Sequence, residues 1–413
     1  MRKSLSLLEG LSQEVRELVN AAEIQAGLID VLSRLGAQTA VQLALQEEVD
    51  RLLGSARDPG GNLPIRNGVR ERRLISAAGP LRVGIPKLRK ENGLYRPVVE
   101  AVRRGSDVVR RLVQGMYVRG ESTRDVARTI NAAYGSRLLQ RDTVSRITRE
   151  MRDQWDRFRS RDLKGLDVIY LILDALYAGI RKDTRDKEGL LAAYGYLADG
   201  SRVFLGLGIG SRESYSVCLE FLRDLKARGM REPILTTHDG SPGWIKAVPE
   251  AFEHSLQQRC QKHKMENILD KVPDSAREEI HRAVRNIFDE SSLAKAQREA
   301  ERVIRRYRSR YGSAMECLSK DVDALLAHMQ CPKEHWRRVR TTNHLERLFE
   351  EGRRRLKVIP RMPDEQGTLT LFYSTILDYA QTWRGLRMSD RIERDLAKLR
   401  EKLLGVKPAL VTL

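Results

Sequence analysis

The stretch "LDVIYLILD", residues 166–174, is a run of mostly apolar residues that ends in an aspartate. Its length and its β-branched and aromatic residues predict a buried strand. Burying an ionised carboxylate is so unfavourable that the group normally needs a cation or a proton beside it. Asp174 therefore pairs with a residue such as Arg181, caps a neighbouring element, or binds a metal ion.

The residues after this strand alternate between strand and helix patterns. Two strands joined at Asp199-Gly200 are predicted from "GLLAAYGYLADGSRVFLGLGIG" (189–210), a helix from "SYSVCLEFLRDLKARG" (214–229), and a strand that ends at Asp239 from "EPILTTHDG" (232–240). Beyond Val272 the pattern is helical for about 65 residues. A last core helix is predicted from "TLTLFYSTILDYAQTW" (368–383). The order indicates a mixed α/β domain that contains a helical insertion.

Three acids lie at the ends of these elements: Asp174, Asp239, and Glu346 in the first turn of the helix predicted from "RTTNHLERLFEEGRRRLK" (340–357). Strand ends and helix starts gather at one rim of an open sheet, where ligands bind. Three carboxylates repel one another unless a cation lies between them, and Mg²⁺ prefers such oxygen ligands. A pair of these ions could activate a water and stabilise the leaving oxygen of a phosphodiester.

Two of these acids also have simpler explanations. Asp239 could be a turn residue in "HDGSPG". Glu346 lies three residues after Asn343, which makes it a candidate capping-box partner. The spacing of the acids alone does not decide between capping and metal binding.

The amino-terminal part of the chain predicts helices and a hairpin. From Leu5 to about Leu53 the apolar residues recur at three and four, which predicts two or three amphipathic helices. "ERRLISAAGPLRVGIPKLRK" (71–90) alternates and predicts a small β-hairpin turned at residues 78–80, Ala-Gly-Pro. Leu81, Val83 and Ile85 share its apolar face.

Residues 115–152 predict two short helices joined at a glycine turn. Ser122 and Asp125 form a capping box, Gly135 ends the first helix, and the second begins near Asp142. This pattern is typical of a helix-turn-helix, although an ordinary helical hairpin in a bundle fits it too. In the helix-turn-helix interpretation, four residues face a major groove: Thr143, Ser145, Arg146 and Arg149.

The composition is strongly basic. Lys and Arg number 75 against 56 Asp and Glu, for a net charge of +19 and a pI near 9.9. Such an excess favours a polyanionic partner, with nucleic acid ahead of a membrane surface. Residues 337–361 are the most basic stretch, and either bind nucleic acid or form a solvated helix. Candidate nucleic-acid contacts there are Arg347, Arg353, Arg354 and Arg355, with Trp336 able to stack on an unpaired base or to pack in a core.

The cysteines and the hydropathy bear on location and on metal sites. The four cysteines are widely spaced, and no apolar run has transmembrane length, so we expect a soluble, cytoplasmic, nucleoid-associated protein. Cys260 and His263 in "QRCQKHK" form a C-x2-H unit without a second close pair, which does not predict a closed structural zinc site. Walker A, H-E-x-x-H and G-x-S-x-G motifs do not occur in the sequence.

Several ordered blocks resemble the Mutator-type transposases of bacterial insertion sequences. The blocks are "DALYAGIR" (174–181), "THDGSPGW" (237–244), "QRCQKHKMENILDKVP" (258–273) and "RTTNHLERLFEEGRRRLK" (340–357), with "MYVRGESTRDVARTI" (116–130) near the amino terminus. The resemblance covers roughly residues 40–385. Several blocks in one order make it more specific than any single motif.

The resemblance implies an α/β RNase H-like catalytic domain of the DDE type with an all-helical insertion, preceded by helical and helix-turn-helix DNA-binding regions and a small β-hairpin. It implies Asp174, Asp239 and Glu346 as the catalytic, metal-binding triad for Mg²⁺, as two ions that Mn²⁺ can replace. Cys260, His263 and Asn343 would support the site. The implied reaction is cleavage at terminal inverted repeats, which exposes a 3′-hydroxyl that attacks target DNA.

The implied organisation has seven segments. They are an amino-terminal helical region for dimerisation or DNA-end binding (1–55), a small β-containing region (56–113), a helix-turn-helix-like region (114–160), the first part of the catalytic core (161–265), the helical insertion (266–336), the last part of the core (337–385), and a carboxy-terminal helix and tail (386–413). The expected partners are double-stranded DNA, as inverted repeats and target, and further copies of the chain in a homodimer or larger assembly, with no membrane. A domesticated, non-cleaving DNA-binding regulator and a stand-alone nuclease of the same fold are the alternatives.

Overall fold

The structure is a computed structural model that describes residues 28–55, 64–89, 95–135, 139–178, 188–210, 214–358, 365–380 and 384–405, with the isolated positions 10, 13 and 17. The chain divides into two compact units, Met1–Glu150 and Met151–Leu413. This division is coarser than the seven predicted segments, whose boundaries stay predictions. No helix among the described ranges has the length and apolar character that crossing a membrane requires.

The first unit begins with a long helix packed on a hairpin. Helix α1 (Leu28–Ser55) is one continuous helix over the second half of the range predicted to hold two or three, and most of residues 1–27 lie outside the described chain. Strands β1 (Ile65–Ser76) and β2 (Gly79–Arg89) are antiparallel. The hairpin is confirmed, but its turn is Ala77-Ala78, one residue earlier than predicted, because Ser76 pairs with Gly79.

The α1–hairpin contact is both polar and apolar. Gln42 of α1 accepts a hydrogen bond from the Gly84 amide (2.8 Å) and donates one to the Gly84 carbonyl (3.1 Å). Leu45 packs against the buried face of β2, where the predicted alternation of Leu81, Val83 and Ile85 is confirmed. The short helix α2 (Pro97–Arg104) covers the same cluster.

Three helices follow and share one small core. They are α3 (Asp107–Val118), α4 (Thr123–Ala133) and α5 (Arg141–Arg159). Ser122 caps α4 by accepting a hydrogen bond from the Asp125 amide, as its spacing predicted, and Gly135 follows the helix with a φ of 61°. The second helix begins at the predicted place, but it has 19 residues and is therefore not short. Val144 and Ile147 are buried in the shared core.

The second unit is built on a five-stranded sheet of order β5-β4-β3-β6-β7. The strands are β3 (Val168–Ala178), β4 (Glu188–Leu197), β5 (Arg202–Gly210), β6 (Leu235–His238) and β7 (Leu256–Arg259). β3, β4 and β5 are antiparallel neighbours, whereas β6 and β7 run parallel to β3. The turn between β4 and β5 is at Asp199-Gly200, as predicted, with Gly200 at a φ of 84°.

Helices cover both faces of this sheet. The odd-numbered residues Leu171 and Leu173 of β3 pack against α6 (Tyr215–Ala227) and α7 (Pro242–Ala251). The even-numbered residues Tyr170 and Ile172 face α14 (Asn343–Val358) and α15 (Glu365–Ala380). Because side chains alternate along a strand, Asp174 lies on the face that α14 covers. The carboxy-terminal helix α16 (Asp390–Leu404) joins the same core through Ile392.

A helical block separates β7 from α14, as predicted. It comprises α8 (Gln261–Leu269), α9 (Asp274–Phe288), α10 (Leu293–Tyr307), α11 (Gly312–Ser319), α12 (Val322–Leu326), the 3₁₀ turns Ala327–Gln330 and Lys333–His335, and α13 (Trp336–Val339). Its helices bury a core of their own. Gln258 of β7 and Gln261 of α8 both donate to the Leu325 carbonyl, at 3.0 and 3.1 Å, and so join this block to the sheet edge.

Candidate active site

Asp174, inside β3, and Asp239, directly after β6, lie side by side on neighbouring strands. In the parallel pair β3–β6, Tyr170 lies opposite Leu235 and Ile172 opposite Thr237, an offset of 65 residues. Asp174 and Asp239 are separated by this same offset, so the register brings them side by side at the carboxyl end of β6. On its other side Asp174 faces Ala192 of β4, whose small side chain leaves room beside the carboxylate.

The Asp174 carboxylate is deeply buried, with 3% of the residue exposed. Burial raises its pKa well above the usual range, and the negative charge of Asp239 adds to this, with smaller contributions from Cys260 and Glu346. The charge of His263 acts in the opposite direction. No group in the described ranges donates a hydrogen bond to this carboxylate. The structure therefore brings together five of the predicted site residues around a buried carboxylate, whose opposing charge is that of His263.

Glu346 reaches this edge because the segment before α14 is tied to the strand ends. Thr237 of β6 donates from Oγ1 to the Val339 carbonyl (2.6 Å), and the Gln261 amide donates to the Arg340 carbonyl (3.1 Å). The amide of Thr342 points at the sulfur of Cys260 (3.4 Å). α14 then begins at Asn343, so Glu346 lies in its first turn, directly over the face of β3 that carries Asp174.

The helix start excludes the predicted capping box. Asn343 is the first helical residue, and the amides of Leu345 and Glu346 donate to the Thr342 carbonyl. The interpretation of Glu346 as the capping partner of Asn343 is therefore wrong. Asn343 itself is exposed, and within the described part of the chain nothing ties its side chain to the acids.

Two cations from α8 contact Glu346 instead. Lys262 donates from Nζ to Oε2, and Nε2 of His263 lies 3.5 Å from Oε1. Polar contact with the Cys260 sulfur raises the pKa of His263 to about 9, so the imidazole is charged at neutral pH. Burial raises the pKa of Cys260, but the contact with His263 outweighs it and leaves this pKa below its usual value. Cys260 and His263 thus form a polar pair beside Glu346, in which each favours the charged form of the other.

The second acid, Asp239, lies in a tight turn. Its Oδ1 accepts a hydrogen bond from the Ser241 amide (2.9 Å), which confirms that Asp239 is a turn residue without excluding a metal role, because Oδ2 takes no part in that bond. Gly240 has a φ of 81°, and its carbonyl accepts a hydrogen bond from the buried Arg259 guanidinium. Arg259 also lies 3.6 Å from Asp321 of the helical block. Arg259 supports the turn, and residue patterns alone do not reveal this role because only tertiary structure brings Arg259 there.

These residues fit a divalent cation. Two carboxylates are adjacent, one of them is almost fully buried, and burial and mutual repulsion keep its pKa high. Oε1 of Glu346 is also buried without a hydrogen-bond partner in the described chain. A hard cation among the three acids would offset this repulsion and supply the missing partner. The interpretation of Asp174 as the partner of Arg181 lies outside the described residues.

The predicted nucleic-acid contacts of the first unit lie on the surface of α5. Arg146 and Arg149 are exposed, whereas Thr143 and Ser145 are half-buried. Burial lowers the pKa of Arg72 in the hairpin, and the charges of Arg146, Arg103 and Arg70 lower it further. The three additional arginines therefore form one basic patch with Arg146. The run "VRERR" (69–73), had its strand been assigned to this surface, could have signalled Arg70 and Arg72.

The basic stretch of residues 337–361 is partly described. Arg347, Arg353 and Arg354 are exposed on α14, whereas the side chain of Arg355 lies outside the described part of the chain. Trp336 is half-buried against the core of the helical block, and its indole nitrogen donates to the Cys331 carbonyl (2.8 Å), which favours the core interpretation. Trp244 is fully buried, so its ring is not accessible to a base.

Comparisons with known proteins give one consistent result. The family described as "Transposase, Mutator family" matches residues 11–385. The transposase for insertion sequence element IS6120 of Mycolicibacterium smegmatis is 33% identical over 272 residues, which are 66% of this chain and 84% of that protein. The transposase for insertion sequence element ISRM5 of Rhizobium meliloti is 28% identical over 88% of this chain and 92% of its own length. The corresponding transposase for IS905 of Lactococcus lactis is 27% identical over 95% of this chain and 99% of its length.

Proposed function

This chain belongs to the Mutator family of transposases, and on that premise we propose that it binds the terminal inverted repeats of its insertion sequence, cleaves the DNA there, and joins the freed 3′-hydroxyl to target DNA. The observation that carries the proposal is that three acids from distant segments, Asp174, Asp239 and Glu346, lie near one sheet edge. Burial raises the pKa of Asp174 there, and the charges of the other two acids raise it further. The proposed cofactor is a pair of Mg²⁺ ions, which Mn²⁺ can replace.

Asp174, Asp239 and Glu346 would hold the ions, and each acid would do so from a different element. When bound, the ions supply an activated water and stabilise the leaving oxygen of the phosphodiester. Asp174 would contribute a fixed ligand, because a central strand cannot move without disrupting the core. Lys262 and His263 add positive charge beside Glu346, where a DNA phosphate would approach. The nucleophiles are water and then the DNA 3′-hydroxyl, so we expect no covalent bond between protein and DNA.

Two structural assignments belong to the same proposal. The RNase H-like character of the second unit is supported by a sheet of three antiparallel and two parallel strands, in which Asp174 of β3 lies beside the carboxyl end of β6, where Asp239 follows. The helix-turn-helix role of α4 and α5 is supported by their shared core and by the basic patch around Arg146. Pairing of two element ends favours a dimer or a larger assembly.

A cleavage assay tests the proposal. Purified protein and its Asp239→Asn variant are incubated with Mg²⁺ and a supercoiled plasmid that carries the flanking ends of the element. Asp199→Asn is the matched control, because it neutralises an acid in the turn between β4 and β5, away from the site. We expect nicks with 3′-hydroxyls at the repeat tips from the unmutated and control proteins, and none from Asp239→Asn.

Other results would assign the protein to another class. Tight binding of the repeats without a nick from the unmutated protein would indicate a non-cleaving regulator. Nicks without strand-transfer product would indicate a stand-alone nuclease. A covalent adduct between DNA and a serine or tyrosine would contradict the metal-assisted mechanism.

A further inference from the structure

Cys260, His263 and Glu346 form a cluster that the cleavage chemistry does not require as a unit. One ligand atom of each residue, the sulfur, a ring nitrogen and a carboxylate oxygen, lies within 4.8 Å of the other two. Cys260 and His263 come from the strand end and first turn of α8, and Glu346 comes from the first turn of α14. The C-x2-H unit that had too few ligands in the sequence thus gains a third from a distant helix.

The polar atoms of this cluster are available for a ligand. The Cys260 side chain is fully buried, and its sulfur is approached by the amide (3.4 Å) and Oγ1 (3.6 Å) of Thr342, contacts that stabilise a thiolate. Oε2 of Glu346 is occupied by Lys262, whereas Oε1 is buried, makes no hydrogen bond in the described residues, and has Nε2 of His263 3.5 Å away, a gap that an ion could bridge once the imidazole is neutral. One thiolate, one imidazole and one carboxylate oxygen therefore point into a common space.

This donor set differs in chemistry from the three acids. Mg²⁺ takes oxygen ligands, whereas thiolate and imidazole select softer ions, Zn²⁺ above all. Three protein ligands with a fourth position left to water are typical of exchangeable zinc sites, while closed structural sites use four. Coordination by the imidazole needs its neutral form, so His263 releases one proton for each ion that binds.

We propose that Cys260, His263 and Glu346 form a second metal site, which binds Zn²⁺ and takes Glu346 away from the catalytic acids. Because Lys262 holds Oε2 of Glu346 and zinc takes Oε1, no oxygen of this carboxylate is left for the catalytic ions, and zinc at this position inhibits the Mg²⁺-dependent reaction. The binding site stands on its own geometry, whereas the inhibition rests on the proposed function.

Cobalt binding to the full-length, chelator-treated protein tests the site directly. A Co²⁺–thiolate bond gives a charge-transfer absorption band in the near ultraviolet, and Zn²⁺ added afterwards should abolish the band by displacing Co²⁺. We expect one ion per chain with this band. Cys260→Ala should lose the band, and His263→Ala should weaken binding by roughly 10- to 100-fold or more. The control Cys317→Ala, which removes a more accessible thiol, should keep both.

Two further measurements distinguish a loss of metal binding from a loss of folding and from a loss of cleavage. Circular dichroism and thermal unfolding establish that each variant is folded, and His263 is half-buried, so its variant is informative even if Cys260→Ala unfolds. Absence of the band in the unmutated protein, or its persistence in folded Cys260→Ala, overturns the site. Asp174→Asn should keep the band while losing cleavage. If that variant still cleaves DNA, the proposed function fails and the zinc site stands. If it loses cleavage but the unmutated protein shows no band, the zinc site fails and the proposed function stands.

Discussion

At the scale of single residues, the buried carboxylate of Asp174 lowers the stability of the fold but is needed for the proposed reaction. Its carboxylate is 3% exposed, burial raises its pKa well above the usual range, and Asp239 lies beside it. We expect Asp174→Asn to raise the free energy of unfolding by on the order of 1 kcal/mol in the presence of a chelator, because an amide carries no charge to desolvate. Cleavage should fall by more than about 100-fold, since a direct ligand matters at least as much as its supporting residues.

Thermal unfolding with and without Mg²⁺ measures the stability effect. An ion that binds only the folded state stabilises it, so added Mg²⁺ should raise the Tm of the unmutated protein but not that of Asp174→Asn. The control Asp199→Asn should lower the Tm or leave it unchanged, because the Asp199 carboxylate accepts a hydrogen bond from the Ser201 amide (2.8 Å). An equal response to Mg²⁺ in Asp174→Asn and the unmutated protein would contradict a metal role for Asp174.

Gly240 is the residue whose backbone the site depends on most directly. Its φ is 81°, and a Cβ atom added there would lie 1.3 Å from Nη1 of Arg259. Gly240→Ala should cost about 1–2 kcal/mol for the left-handed backbone alone and should displace the Asp239 turn. We expect lower cleavage together with a lower midpoint in urea unfolding. Gly312→Ala is the control, because an added Cβ atom there meets nothing within 4 Å, and it should change neither cleavage nor the midpoint. A fully active Gly240→Ala would show that cleavage does not depend on the geometry of the Asp239 turn.

At the scale of elements, the sequence predicted what local periodicity determines. Strands β3 to β6, the helical insertion and the Ser122 cap follow from residue patterns a few positions long, and the structure confirms them, whereas the four-residue edge strand β7 was not predicted. The misplaced hairpin turn depends on the pairing of Ser76 with Gly79, and the misassigned cap at Asn343 depends on where α14 begins. Long-range packing decides both features, so a local pattern could not.

The same distinction applies to the candidate site. The three acids were identified from their positions at the ends of elements, and the register of β3 and β6 brings two of them side by side. The contacts of Lys262 with Glu346 and of Arg259 with the Gly240 carbonyl join segments that are far apart in the chain. Residue types and spacing do not indicate which distant segments meet in the fold, so these partners could not be predicted.

One short element, the 3₁₀ turn Ala327–Gln330, makes stability depend on pH. His328 is fully buried there, its Nδ1 lies 3.0 Å from Oε1 of Gln258, and burial lowers its pKa to about 3. The unfolded chain binds a proton at this residue near pH 6.5, while the folded chain resists protonation down to about pH 3. The unfolded state therefore holds more protons in this window, and stability falls as the pH is lowered through it.

His328→Asn tests this linkage, because the asparagine amide can still donate to Gln258 but does not titrate. Between pH 6.5 and 5 the unmutated protein should lose about 2 kcal/mol more than the variant, from a shift of this size at one buried group. Urea unfolding at the two pH values measures the difference. Because other buried histidines contribute equally to both proteins, the comparison isolates His328, and identical pH dependence in the two would contradict a neutral, buried His328.

At the scale of the whole molecule, the net charge of +19 must be separated from specific phosphate contacts. A contact between a basic side chain and a DNA phosphate releases counterions. Each such contact makes the slope of log affinity against log salt concentration more negative by about 0.9. Arg146 lies in the basic patch with Arg72, whose pKa is lowered first by burial and further by the like charge of Arg146, a repulsion that phosphates would relieve. Arg146→Ala should therefore weaken binding of an inverted-repeat duplex and reduce the salt slope by about 1. Arg282→Ala removes one charge from an exposed residue that is paired with Glu278, and it should leave the slope unchanged. Equal slopes for the two variants would mean that overall charge, and not the α5 surface, governs the attraction of this protein to DNA.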